Sequence, residues 1–526
     1  MSKIVNPILP GFNADPSICR VGGDYYIATS TFEWYPGVQI HHSTDLVNWQ
    51  LVKRPLERAA QLDMRGNPDS CGVWAPCLSY GDGLFWLVYT DVKRLDGNFK
   101  DSHNYIVTAP SIEGPWSDPV YVNSSGFDPS LFHDDDGRKW FLNMQWNHFS
   151  HGVGGQPKHP SFAGILLQEY DAKEKKLVGP VKNIFRGSAH GLVEAPHLYK
   201  RNGWYYLLTA EGGTGYDHAV TMARSRSIDG PYELHPLTHP ITSKDAPDAV
   251  LQRAGHGQIV EAPSGEFYHT HLCSRPLPGT RRSPLGRETA IQKCVWRDDG
   301  WLYLVQGGQV PDVEVEAPKD VSRLASPRTI HYDFADAKLP ADFQWLRTPF
   351  PERIFSLCDK PGALRLHARE SIGSWFEQAL VARRQQHFSL RVETELDFRP
   401  TTFQQAAGLT HYYNRHKFHF LAVSFDEWRG RMLTIMSCPG DWPDGRLSFP
   451  LAEAIDLPGN DPIGLAAEID GFRLQFFYRS DGRWLPAGPV LDASVISDEG
   501  GRGEHGSFTG AFLGMVAFDT SGAAAC

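Results

Sequence analysis

The chain has 526 residues, with 61 acidic against 51 basic side chains for a formal charge of −10, and with 41% hydrophobic and 12% aromatic residues. That length exceeds one ordinary domain, and that apolar content supplies buried cores and excludes disorder over most of the chain. No Lys/Arg run exists that could follow a phosphate backbone, which excludes nucleic acid as a partner. No stretch approaches the roughly 18 continuous apolar residues of a membrane helix, so no membrane contact is expected.

Residues 1–7 hold one positive charge with no apolar stretch behind it, which predicts a cytoplasmic protein. The eight cysteines, at 19, 71, 77, 273, 294, 358, 438 and 526, form no Cys-x-x-Cys pair and no zinc-type spacing. They read as scattered reduced thiols, and no protein metal site is predicted.

A turn followed by an aromatic, β-rich run recurs five times, at 25–29, 84–90, 139–144, 204–209 and 267–271, with starts 55 to 65 residues apart. That spacing holds a four-stranded antiparallel sheet with its turns, so the first three hundred residues predict a five-bladed β-propeller. Each run follows a strand of its own, at 16–21, 76–80, 129–133, 196–200 and 257–262, across turns such as Gly81-Asp82-Gly83 and Asp135-Asp136-Gly137. Helical periodicity is lacking, so helices should be few. The propeller is assigned to 1–309. Residues 310–328, rich in Pro, Glu, Asp and Ser, break the repeat and read as a linker. From 329 to 526 short alternating strands return, at 363–368, 388–398, 418–425 and 473–478, and predict a jelly-roll-type β-sandwich.

In a propeller, equivalent repeat positions converge on the central axis however far apart they lie in sequence. Just ahead of each inner strand stand Ala14-Asp15-Pro16, Trp74-Ala75-Pro76, Phe127-Asp128-Pro129, Glu194-Ala195-Pro196 and Gly255-His256-Gly257. A single Asp-Pro pair is an ordinary turn or strand start. Three carboxylates at one repeat position are different, because converging like charges cost free energy unless a function or counter-charge retains them. By contrast, Asp134-Asp135-Asp136 reads as a solvated hairpin turn and Asp45 as a turn former. Carboxylates beside aromatic faces, without a metal cluster, a phosphate loop or a Gly-x-Ser-x-Gly elbow, point to cleavage of glycosidic bonds.

The stretches 6–17 (Asn-Pro-Ile-Leu-Pro-Gly-Phe-Asn-Ala-Asp-Pro-Ser), 126–130 (Gly-Phe-Asp-Pro-Ser), 194–200 (Glu-Ala-Pro-His-Leu-Tyr-Lys) and 285–289 (Leu-Gly-Arg-Glu-Thr) closely resemble the β-xylosidases of glycoside hydrolase family 43. The resemblance extends over both domains, through 506–512 (Gly-Ser-Phe-Thr-Gly-Ala-Phe), similar to the loop that this group's sandwich pushes toward the propeller pocket. It implies Asp15 as general base on water, Glu194 as general acid, and Asp128 as a modulator whose negative charge raises the pKa of Glu194. It implies that Arg287 bonds sugar hydroxyls and that Phe32 and Trp74 line the subsite for the terminal sugar. Thr214 is a further pocket residue, and Phe508 closes the pocket and favours release of one sugar at a time. His256 is placed at the pocket floor, and because some relatives hold calcium there, a divalent cation near His256 is allowed for, although no cofactor is required. The family is inverting, which implies carboxyl groups roughly 6.5–9.5 Å apart with water between base and sugar.

The resulting expectation is an exo-acting β-1,4-xylosidase acting on short xylooligosaccharides, with α-L-arabinofuranosidase side activity, and assembled as a homo-oligomer (dimer or tetramer) as its relatives often are. A predominant α-L-arabinofuranosidase and a non-catalytic sugar-binding propeller are the alternatives. A sialidase ranks below them, because 43–49 only half-matches an Asp-box and no arginine triad is visible.

Overall fold

Each aromatic run forms the second strand of its own antiparallel sheet in the computed structural model, which describes residues 2–95, 99–148, 161–325, 327–440, 446–500 and 507–522. The inner hairpins pair Ser17–Val21 with Asp24–Thr29, Gly72–Gly81 with Leu84–Arg94, Ser130–His133 with Lys139–Trp146, and Glu194–Arg201 with Trp204–Glu211. In the fifth sheet the predicted inner strand is divided, and Gln252–Gly255 and Ile259–Glu261 both pair with Phe267–Ser274. The second strands are buried along almost their whole length, which is why they read as continuous apolar runs.

Burial between successive sheets closes a ring. Ala28 and Ile40 of the first sheet pack on Leu78 and Leu87 of the second. Trp86 and Val88 then meet Leu131 and Phe141, Leu142 meets Leu207, and Leu208 and Met222 meet Ala254 and Leu302. Tyr268 and Ile291 of the fifth sheet return to Ile18 and Ile27 of the first. This is a five-bladed propeller. The ring is latched by residues ahead of the first blade: the Asn6 amide donates to the Ile291 carbonyl at 2.8 Å, the Gly11 N–H donates to Glu288 at 2.9 Å, and Leu9 bridges Thr289. Within 310–328, Glu314–Glu316 pairs with Lys3–Val5, so this segment also ties down the start of the chain.

The C-terminal part is a β-sandwich. Its large sheet runs in the order Ile455–Asp456, Gly430–Pro439, Lys417–Asp426, Gln405–Asn414, Phe512–Asp519, Ala379–Arg384 and Phe343–Leu346. A facing sheet of Ser389–Leu396, Ile463–Asp470, Arg473–Ser480 and Arg483–Asp492 packs on it through Leu421, Leu433 and Ile435 against Leu465, Ile469 and Phe476. The strand expected at 363–368 is only Arg365–Leu366. One edge of the large sheet belongs to the propeller: Trp34–Tyr35 pairs with Phe343–Leu346, and the Trp34 ring stacks on Phe512 at 3.7 Å between centroids.

One expectation is corrected. Asp134 is not solvated but buried, bonded by Lys200 at 2.6 Å and by the Tyr205 hydroxyl at 2.9 Å. The hairpin thus ties the third blade to the fourth. Asp45 is the turn former expected, accepting the Val47 and Asn48 N–H groups at 2.8 and 2.7 Å.

Candidate active site

At the start of four inner strands the backbone turns left-handed at equivalent residues: Asp15 (φ 56°), Asp128 (φ 54°), Ala195 (φ 53°) and His256 (φ 43°). Outside glycine this conformation is uncommon and clusters at functional sites. Ala195 occupies the place of the aspartates, so in the fourth blade the carboxylate comes from the residue before it, Glu194. Asp15, Asp128, Glu194, His256 and Arg287 are all buried.

Asp15 and Arg287 are 272 positions apart, and the N-terminal latch brings them together: the Asn13 N–H donates to the Arg287 carbonyl at 2.9 Å. Arg287 Nη1 then donates to Asp15 Oδ1 at 2.9 Å, while Ser30 donates to Oδ2 at 2.6 Å and His256 Nδ1 lies 3.6 Å from Oδ1. Burial pushes the Asp15 pKa up, but Arg287, His256 and Ser30 outweigh it, and the net shift is below the ordinary carboxylate value.

The buried Asp128 and Glu194 go the other way. Neither takes part in an ion pair among the described residues. For Asp128, burial first, then the charges of Glu194 and Asp15, hold the carboxyl well above its ordinary value. For Glu194, burial and then Asp15 push the pKa up to about 8, against a smaller opposing pull from Arg287. Burial is the largest cause for both carboxyls, and the charge of Asp15 adds to it in each.

The aromatic wall is assembled from both domains. Phe32 is fixed by reciprocal backbone bonds with Val73 at 2.9 and 3.0 Å, which sets its ring 6.0 Å from Trp74. Phe508, from the sandwich, lies 6.1 Å from Phe32 and 5.9 Å from Trp74. The Arg287 guanidinium stands 5.4 Å over the Phe32 ring and donates through Nη2 to the Phe508 carbonyl at 3.0 Å. Its buried Nε has no hydrogen-bond partner among the described residues. Gly506, at the start of this loop, lies outside the described residues.

Thr214 enters the described contacts through its carbonyl, which accepts from Arg253 Nε at 2.7 Å. His256 lies beside Asp15, with burial holding its pKa down to about 4 despite that carboxylate. The donors around it do not fit a calcium ion, which prefers six to eight oxygens: its neighbouring carboxylate is taken by Arg287, and no trio of His, Cys, Asp or Glu that could hold a metal occurs among the described residues.

Sequence reasoning missed Ser30 and His218. Ser30 was legible in principle, because extending the Ser17↔Ala28 register by two residues sets Ser30 opposite Asp15. His218 carried no repeat signal. It is buried beside Gly255, where a Cβ would come within 2.1 Å of its ring, so the glycine ahead of His256 makes the room it needs.

The family model described as glycosyl hydrolases family 43 matches residues 4–302, and that described as the beta xylosidase C-terminal concanavalin A-like domain matches 331–526. The chain belongs to glycosyl hydrolase family 43. Among its family 43 relatives, Xylosidase/arabinosidase 43B of Humicola insolens is 60% identical over 100% of this chain and 96% of its own. The Beta-xylosidase of Bacillus subtilis (strain 168) is 50% identical over 99% and 97%. The crystal structure of a xylan beta-1,4-xylosidase from Bacillus halodurans C-125 superposes with a TM-score of 0.94 at 51% identity, covering 99% of this chain and 97% of that one. The chain is accordingly a glycoside hydrolase, and the propeller followed by a sandwich is the architecture of its family 43 neighbours.

Proposed function

We propose that the protein is an exo-acting, inverting β-1,4-xylosidase that releases xylose from the non-reducing ends of short xylooligosaccharides, with α-L-arabinofuranosidase side activity. The observation that carries this reading is the opposite displacement of two buried carboxyl groups on one axis: Asp15 held ionised and Glu194 held protonated. In the reaction Asp15 takes a proton from water as its oxygen attacks the anomeric carbon, and Glu194 gives its proton to the departing glycosidic oxygen as the C–O bond breaks. Asp15 ends protonated and Glu194 ionised, and exchange with solvent resets both. Arg287 holds Asp15 ready and bonds sugar hydroxyls through its guanidinium, while Phe32, Trp74 and Phe508 supply faces for the ring. The enclosure by Phe508 supports release of one terminal sugar. Names of relatives that pair xylosidase with arabinosidase support the side activity.

Proton NMR of xylobiose hydrolysis tests all of this together. The α-anomer of xylose should appear first at the non-reducing unit and then mutarotate. Initial formation of the β-anomer would overturn inversion, absence of hydrolysis would favour the sugar-binding alternative, and a faster rate on aryl arabinofuranoside than on aryl xyloside would reverse the substrate order.

A further inference from the structure

Two arginines, Arg253 of the propeller and Arg347 of the sandwich, are among the largest fully buried side chains of the molecule, and each reaches an aspartate on the far side of the domain boundary. Arg253 Nη1 donates to Asp498 Oδ2 at 2.9 Å. The other oxygen of Asp498 accepts from the Tyr413 hydroxyl, and that hydroxyl in turn accepts the N–H of Thr509 at 2.8 Å. In the opposite direction Arg347 donates to Asp69 at 2.7 Å and to the Asn67 carbonyl at 2.7 Å. Next to Asp69, Ser70 accepts the Phe508 N–H on its hydroxyl at 3.0 Å and the Trp74 indole N–H on its carbonyl at 2.9 Å.

The two chains of contacts end on adjacent backbone N–H groups, those of Thr509 and Phe508. A third contact allows this approach: at Gly286 (φ +72°) a Cβ would come 2.0 Å from the Thr509 carbonyl, so only glycine lets the 508–510 segment lie against Arg287. A buried charge left unpaired is costly, so neither arginine can leave its aspartate without a large loss, and the paired geometry is held as one arrangement.

We infer that Arg253–Asp498–Tyr413 and Arg347–Asp69–Ser70 are positioning residues of the sugar site, which fix Phe508 against Phe32 and Trp74 and thereby let the sandwich domain set affinity for the terminal sugar while the propeller carboxylates set the chemistry. The inference rests on the reading of this pocket as the terminal-sugar subsite. The two arms are redundant in direction but not in target, since one holds Thr509 and the other Phe508 and Trp74 together.

The test is Tyr413→Phe, which removes one hydroxyl and leaves Arg253 paired with Asp498, in the full-length protein, alone and combined with Phe508→Ala. Ser70→Ala probes the other arm. With aryl xyloside, Tyr413→Phe should raise KM about 5- to 20-fold and leave kcat within twofold, and it should add nothing further once Phe508 is already Ala. Hydrogen exchange at the Phe508 and Thr509 amides should accelerate at least tenfold in Tyr413→Phe, a readout independent of which sugar is cleaved. Unchanged exchange, a fall in kcat without a rise in KM, or an effect that persists in the Phe508→Ala background would overturn the inference. Should the wild-type protein cleave neither aryl glycoside, the proposed function fails by itself, and the exchange result still decides whether Tyr413 holds the segment.

Discussion

Two layers of the same axis, two residues apart in every blade, have opposite chemistry. The upper layer carries Asp15, Asp128, Glu194 (through the shifted fourth blade) and His256. The lower one carries Ser17, Cys77, Ser130, His197 and Gln258. In the lower layer the Ser17 hydroxyl donates to the Gln258 carbonyl at 2.8 Å, the Gln258 amide meets His197 Nδ1 at 2.7 Å, and Ser130 donates to the Pro196 carbonyl at 2.5 Å. The Gln258 side chain thus links Ser17 to His197, and Cys77, Ser130, His197 and Gln258 line a cavity of about 270 Å³. In the upper layer one carboxylate takes the cation and the hydroxyl, and the other two have no such partner. A buried, unpaired carboxylate neutralises itself by taking up a proton. Equivalent positions of the repeat thus carry hydrogen-bonded neutral groups in one layer and carboxyls in the next, and among those carboxyls it is the Arg287 guanidinium that singles out Asp15 as the one to stay charged.

The largest break of this contrast is Asp15→Ala, which removes the group that activates water. kcat for xylobiose should fall roughly 10²- to 10⁴-fold with the fold intact by circular dichroism. Glu194→Gln should lose a similar factor on xylobiose but only about tenfold on an aryl xyloside whose leaving group departs without protonation, and the ratio of the two losses measures proton donation directly.

Arg287→Gln acts on both limbs of the pH profile. Arg287 lowers the pKa of Asp15 and, less strongly, that of the Asp128–Glu194 pair. Activity needs the first ionised and the second protonated, so loss of the cation should move the acid limb of kcat/KM up by about 1–3 units and the alkaline limb upward by less, narrowing the active range from its acid side. An acid limb that stays in place would show that Arg287 does not control Asp15. The smallest effect on rate is expected from Gln258→Leu. It removes the acceptor of the Ser17 hydroxyl and the partner of His197 Nδ1, so the midpoint of unfolding should drop by an amount corresponding to about 1–3 kcal/mol, while kcat/KM changes by no more than a few-fold. A loss of rate as large as that of the upper-layer variants would erase the distinction between the layers.

Much of the site was legible because propeller repeats are a ruler. The Asp-Pro pairs at 15–16 and 128–129 and the Glu-Ala-Pro at 194–196 sit at one phase of a 55- to 65-residue period, and phase is converted into proximity by closure of the ring. Ser30, missed in the sequence, could have been placed opposite Asp15 from strand register alone. His218 could not, because nothing in a linear pattern records that Gly255 vacates space for a ring from another blade. Asp134 misled for a related reason: a run of three aspartates in a turn reads as solvent-facing until Lys200 and Tyr205 arrive from the next blade.

The amino-acid order by itself determined the number of blades, the sandwich that follows, and the carboxylates of the axis, since strand periodicity and repeat phase are local properties of the chain. Only the tertiary structure decided which carboxyl would stay charged. That depends on which of them meets Arg287, on the Phe508 carbonyl from the other domain that holds the guanidinium in place, and on a latch spanning 272 positions between Asp15 and its cation, all long-range quantities that set local electrostatics and have no signature in neighbouring residues.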